Sequence, residues 1–226
     1  MQNIPTTNMQ TTAYDLILQK ILLADYIPGQ KISENMITAD IQLGRTPVRE
    51  ALIHLKKDKL IEVIPQSGTY VSRIDLVSAK NARFVRENIE KEVVKEATQH
   101  HSEAVVTRLT EIIQLQQHYL QENDAVHFFA MDDEFHRAFY EATDKTQVWD
   151  WLQILNTQLT RFRWLRLKIS DLKWQTLIDQ HSAILKAIET QDSRLATKLV
   201  VDHLHLMLEE QQRLITVFPD YFINVD

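Results

Sequence analysis

From Thr69 to Phe218 the chain runs for 150 residues without a glycine or a proline. Ordinary usage of about 7% glycine and about 5% proline would place roughly 18 there, and these two residues cost a helix interior most. The stretch therefore predicts an all-α region. Six helices are expected, roughly Leu76–His100, Glu103–Gln121, Ala125–Ala142, Gln147–Lys168, Leu172–Thr190 and Ser193–Val217. The first shows the pattern, with Ala82, Val85, Ile89, Val93 and Ala97 at intervals of three and four. Short polar breaks such as Glu122-Asn123-Asp124 and Thr190-Gln191-Asp192 suit an antiparallel bundle.

All three glycines, Gly29, Gly44 and Gly68, precede that stretch, and the first region reads differently. Helices are expected over Tyr14–Asp25, over Glu34 to about Asp40 behind a Ser33 cap, and over Thr46 to about Asp58. A hairpin follows, Ile61–Ile64 and Thr69–Val71 flanking Pro65-Gln66-Ser67-Gly68. Three helices and a two-stranded wing make a winged helix-turn-helix. The expected division is residues 1–75 for that domain and 76–226 for the bundle. In the third helix Thr46 is expected as N-cap and Pro47 as first helical residue. Val48, Ala51, Leu52 and Leu55 form an apolar stripe, leaving Arg45 and Arg49 off it near the helix start, where a reading helix meets base edges.

The chain is 44% hydrophobic, enough for real cores, and has no cysteine, which excludes disulfides, thiolate metal sites and cysteine nucleophiles. The polar start, Met1 to Thr12, lacks the order of a signal peptide, and no apolar run is long enough to span a bilayer, so a cytoplasmic protein without membrane contact is expected. A net charge of −6 argues against nucleic acid until its distribution is seen. Residues 1–75 carry 8 basic and 8 acidic side chains, and the excess acidity lies wholly in residues 76–226. Arg45, Arg49, Lys56, Lys57 and Lys59 make a local basic patch able to hold phosphates.

Polar residues stand on apolar faces of the bundle. Asp132 and His136, one turn apart, share the arc of Phe128, Phe135 and Phe139. His181 sits among Leu177, Ile178, Ile184 and Leu185, and His203 on the face of Ala196, Leu199, Val200 and Met207. A single such histidine is an ordinary hydrogen-bonded core residue. Four polar groups on three apolar faces instead suit a metal, because a buried carboxylate needs a cation and neutral imidazoles are its natural donors. One Asp and three His leave coordination positions open, serving a sensor or a hydrolase alike.

Arg45-Thr46-Pro47-Val48-Arg49-Glu50-Ala51-Leu52, Leu60-Ile61-Glu62 and Gly68-Thr69-Tyr70-Val71 closely resemble the winged-helix signature of GntR-family bacterial transcription regulators. The remainder, with Arg86 and Glu90, Asp132-x3-His136, His181 and His203-Leu204, resembles the FCD effector domain of the FadR subfamily. The resemblance implies a homodimer on a palindromic operator, its DNA affinity set by a small organic acid whose carboxylate meets a metal. It implies DNA contacts from Arg45, Thr46 and Arg49, with Gly68 shaping the wing. It implies metal ligands Asp132, His136, His181 and His203 for a divalent transition metal, zinc foremost, with nickel, manganese or iron as alternatives. Arg86 is set to meet an anionic effector or, equally, to pair with Glu90. Two departures stand out: Gln42-Leu43-Gly44 replaces the family's Gly-Val-Ser, and Gln180 replaces a glutamate expected to orient His181. A metal-dependent hydrolase and a regulator answering to the metal itself are the competing readings. The first lacks an evident general base beside the ligands and leaves the winged helix unexplained.

Overall fold

The computed structural model describes residues 6–100 and 102–225, so the first five residues of the polar start lie outside it. Two compact units separate, one of residues up to Leu76 together with Phe218 onward, the other Val77–Val217.

In the first unit α1 (Thr6–Leu22), α2 (Glu34–Ile41) and α3 (Arg45–Lys57) pack around Ile17, Ile21, Ile37, Val48, Ala51 and Leu55, all essentially inaccessible to solvent. Ser33 caps α2 by accepting from the Met36 N–H. Thr46 does not cap α3. The N-cap is Gly44, extended at φ −66° and ψ 160°, and it offers no side chain. Pro47 thus sits inside the first turn, where a missing donor still goes unnoticed because those N–H groups have no helical partner. Gln42, at φ 55°, ends α2 and begins the turn into α3.

The hairpin pairs β2 (Ile61–Ile64) with β3 (Gly68–Val71) antiparallel, Ile61 opposite Val71 and Ile64 opposite Gly68. Its corner is Pro65-Gln66, closed by Ser67 N–H donating to the Ile64 carbonyl, with Gln66 at φ 61°. Two features go beyond the sequence reading. A short strand β1 (Lys31–Ile32) adds to the outer side of β3, giving the order β1-β3-β2. The end of the chain, assigned by sequence to the bundle, returns to the first unit. There β5 (Phe222–Ile223) pairs in parallel with β4 (Ile74–Asp75), Phe222 is buried, and Asn224 donates to Asp75 at 3.1 Å.

The second unit holds, among the described residues, α4 (Leu76–Gln99, its first residue in the other unit), α5 (Glu103–Gln121), α6 (Ala125–Ala142), α7 (Thr146–Leu155), α8 (Thr157–Arg166), α9 (Gln175–Glu189) and α10 (Ser193–Val217). The helix expected over Gln147–Lys168 is thus two. The interruption is one residue, Asn156, whose ψ is −1° and whose side chain is buried, while its N–H still reaches the Leu152 carbonyl at 2.8 Å. Residues 167–174 form turns rather than the start of the next helix, and the Trp174 indole donates to the Leu167 carbonyl to close them.

Helix ends here are made without glycine. After α5, Asp124 N–H donates to Tyr119 and Asn123 N–H to Leu120, which is the paired six-to-one and five-to-two pattern of a Schellman end. The same pattern ends α6 through Lys145 and Asp144, and α9 through Asp192 and Gln191. Asn123, Asp144 and Gln191 accordingly take left-handed φ of 54°, 56° and 57°.

Candidate metal centre and DNA-facing helix

Asp132 and His136 come from α6, His181 from α9 and His203 from α10. All four are buried, and each offers a ligand atom so placed that these atoms lie within 4.8 Å of one another. The second ring nitrogen of each histidine is held from behind. His136 Nδ1 meets Glu90 Oε1 from α4, His181 Nδ1 meets Gln116 Oε1 from α5 at 2.8 Å, and His203 Nδ1 meets Gln180 Oε1 at 2.8 Å. Each partner is an oxygen that only accepts, so each ring carries a proton on Nδ1, and in the neutral form of the ring the Nε2 lone pair faces the centre. Gln180 therefore orients His203, not His181 as its place in the sequence suggested, and the task at His181 falls to Gln116.

With the rings neutral, the centre is a set of acceptors without a donor. His136 Nε2 and His203 Nε2 face each other at 3.2 Å, and His181 Nε2 lies 3.6 Å from Asp132 Oδ1. His181 Nε2 and Asp132 Oδ1 are both buried without a hydrogen-bond partner. Lone pairs converging in a dry interior repel unless a cation sits among them, and neutral imidazoles with one carboxylate are a donor set for a borderline divalent ion. The residues present thus fit a metal, and Asp132, His136, His181 and His203 would hold it, with Glu90, Gln116 and Gln180 setting the rings.

Electrostatics keep the donors ready. Burial pushes His181 down to about 3 and His203 well below the usual imidazole range, so neither binds a proton near neutrality. Burial works to raise the Asp132 and Glu90 carboxyls, but Arg163 beside the first and Arg86 with His136 beside the second outweigh it and hold both low. Arg86 donates from Nε to Glu90 Oε2 at 2.9 Å with both residues at 1% exposure or less, so the pairing with Glu90 is present. Arg163 from α8 binds Asp132 Oδ2 and also Asp133.

The sequence reading missed Gln116 and Arg163. A signal existed for the second. Arg161, Arg163 and Arg166 fall in a run from Trp151 to Ser170 that contains no acidic residue, so their partners had to come from elsewhere in the chain.

In the first unit Arg45 and Thr46 are exposed at the start of α3, and Arg49 one turn on is paired with Glu34 of α2 at 3.2 Å. Gly68 opens β3 at φ 136°, a backbone conformation that side chains disfavour, so the position favours glycine; a Cβ there would stand 2.7 Å from Lys31 Cε, a contact that flexible side chain can yield.

Compared with known families, residues 9–71 match the bacterial regulatory proteins of the gntR family and residues 82–206 match the FCD domain. The chain belongs to the GntR family. It is a transcriptional regulator with an FCD domain, and the family and its relatives are regulators, not enzymes. Among those relatives, the HTH-type transcriptional repressor RspR of Escherichia coli K12 is 26% identical over 218 residues, covering 96% of this chain and 95% of that protein. An HTH-type transcriptional regulator in an unstable DNA locus of Streptomyces ambofaciens is 30% identical over 96% of this chain and 92% of its own length. The solved structure of E. coli McbR/YncC shares the fold, with a TM-score of 0.73 at 15% identity over 93% of this chain and 98% of that one. No helix among the described residues is long and apolar enough to cross a membrane.

Proposed function

We propose that this GntR regulator binds a palindromic operator as a homodimer and changes its grip when a small organic acid enters the bundle. The acid's carboxylate meets a divalent metal, zinc foremost, on Asp132, His136, His181 and His203, and Arg86 steadies the anion. Arg45, Thr46 and Arg49 contact DNA at the head of α3, and Gly68 lets the wing approach it. The observation that carries the reading is the convergence of three Nε2 lone pairs and one bare carboxylate oxygen in a chain that also holds a winged helix. Imidazole and carboxylate donors leave coordination sites for a ligand, and a cavity beside Asp132 and His203 opens toward them. A metal bound there supplies a Lewis-acidic anchor for an anion.

Operator affinity measured against metal, and separately against carboxylates, tests this. Carboxylates should move the affinity of metal-loaded protein and leave chelated protein unmoved. An equal response from chelated protein would overturn the metal's role, and a response to metal alone would make the ion itself the signal.

A further inference from the structure

We propose that the acid taken by this cavity is a monoanion, a monocarboxylate whose remainder carries neutral hydrogen-bond acceptors such as hydroxyl or carbonyl oxygens. The inference rests on the reading of the bundle as a metal and carboxylate sensor, and adds what the walls select.

The cavity, about 50 Å³, runs from Asp132 and His203 between aromatic and aliphatic walls that include Phe128, Phe162, Leu177 and Met207. Arg83, Arg86, Arg163 and Arg166 also line it, which at first sight invites a polyanion. The charge of each is already met by a carboxylate of the protein. Arg83 pairs with Glu87 and Arg86 with Glu90, while Arg163 holds both Asp132 and Asp133. Arg166 grips Glu210 with two donors, Nε at 2.6 Å and Nη2 at 3.0 Å.

Around the ligand set, Arg86 and Arg163 supply two positive charges against three negative ones on Glu90, Asp132 and Asp133. The histidines add none while neutral. A divalent ion turns this net negative charge into a single positive one, and one carboxylate cancels it. A second carboxylate would lie among apolar walls and paired arginines with no counter-charge, an arrangement that burial penalises heavily.

What the arginines lining the cavity do lack is a full set of acceptors. Arg86 Nη2, Arg166 Nη1 and Arg83 Nε are buried without a hydrogen-bond partner, and all three residues are more than nine-tenths buried. A neutral oxygen satisfies such a donor without bringing charge, so the site discriminates by a charge it refuses and by donors it needs filled.

The test uses zinc-loaded full-length protein and acids of equal chain length that differ only at the far end: pentanoate, 5-hydroxypentanoate and glutarate. The series is repeated at three to six carbons, with binding followed by calorimetry. The hydroxy acid should bind tightest and the diacid at least about tenfold more weakly. Glu210→Gln keeps the shape at Arg166 while freeing its charge, and should shift the preference toward the diacid by about tenfold or more. Glu87→Gln should do the same at Arg83, giving a second chance should the first variant fold poorly. A diacid that binds native protein as tightly as the hydroxy acid, or a preference unmoved in both variants, overturns the charge argument and leaves the sensor reading standing. Zinc-loaded protein that binds no carboxylate at any length overturns both.

Discussion

The two units place their polar groups in opposite ways. All thirteen buried polar or charged residues among those described lie between Arg83 and His203, in the bundle, whereas the buried side chains of the first unit are aliphatic apart from Tyr26 and Phe222. The winged helix keeps Arg45 and Arg49 outside, where a polyanion can reach them and where each charge is solvated when none does. The bundle holds Arg86, Glu90, Asp132 and three imidazoles inside, where each must be matched by a neighbour. A surface of the first kind tolerates loss of a partner. An interior of the second kind answers to whatever completes it, which is the property a sensing domain requires.

The sharpest way to break this contrast is to remove one carboxylate from each unit. Glu90→Ala leaves Arg86 charged and His136 unheld in the interior, and should cost about 3–5 kcal/mol. Glu34→Ala removes the partner of solvent-exposed Arg49 and should leave stability unchanged. Tryptophan fluorescence in denaturant reads the first variant cleanly, because Trp149, Trp151, Trp164 and Trp174 all belong to the bundle. Circular dichroism reads the second. Equal effects would dissolve the distinction.

Acidification should separate the units next. His181 and His203 are neutral when folded because burial lowers them, while in the unfolded chain they take up protons at the usual imidazole range. The unfolded state then binds more protons, so metal-free protein keeps this stability above about pH 6.5 and loses it as pH falls, through His181 until about pH 3, at about 1.4 kcal/mol per pH unit for each ring that is protonated only in the unfolded chain. The lowered carboxyls of Asp132 and Glu90 act in a lower window, their contribution fading only as pH falls below about 4. Tryptophan-detected stability that stays flat from pH 7 to 5 would mean the rings are not held neutral. Added zinc should deepen the acid sensitivity, since bound ligands must also be deprotonated.

How far the sequence reads these features depends on the range of the interactions. Helix existence depends on local propensity, and the absence of breakers made it legible. Asp132 and His136 were legible because one helical turn relates them, and His181 and His203 because each contradicts its own apolar face. The residues behind the rings were not. Gln116, Gln180 and Arg163 are polar residues of common type on other helices, and only packing brings them to His181, His203 and Asp132. β1, β4 and β5 have two residues each, too few to show an alternation. Asn156 interrupts a helix without the glycine or proline that would announce it.

The smallest expected effects concern glycine, and they run in opposite directions in the two units. In the bundle, exposed Gln191 bears a left-handed backbone that a side chain disfavours, so Gln191→Gly should stabilise by roughly 0.5–1 kcal/mol. Asn123 has nearly the same φ but a short amide that tolerates it, so Asn123→Gly should give less. In the first unit Gly44 is wasted as a glycine. Its φ of −66° suits any residue, and a Cβ there would meet only the Pro47 ring, Cδ at 3.7 Å and Cγ at 3.9 Å, both ordinary contacts. Gly44→Ser gives α3 the capping hydroxyl it lacks, for a few tenths of a kcal/mol, and places that hydroxyl at the end of the helix proposed to face DNA. Its larger consequence should therefore be tighter operator binding. Unchanged affinity, with α3 stabilised, would show that the start of this helix stands clear of the phosphates.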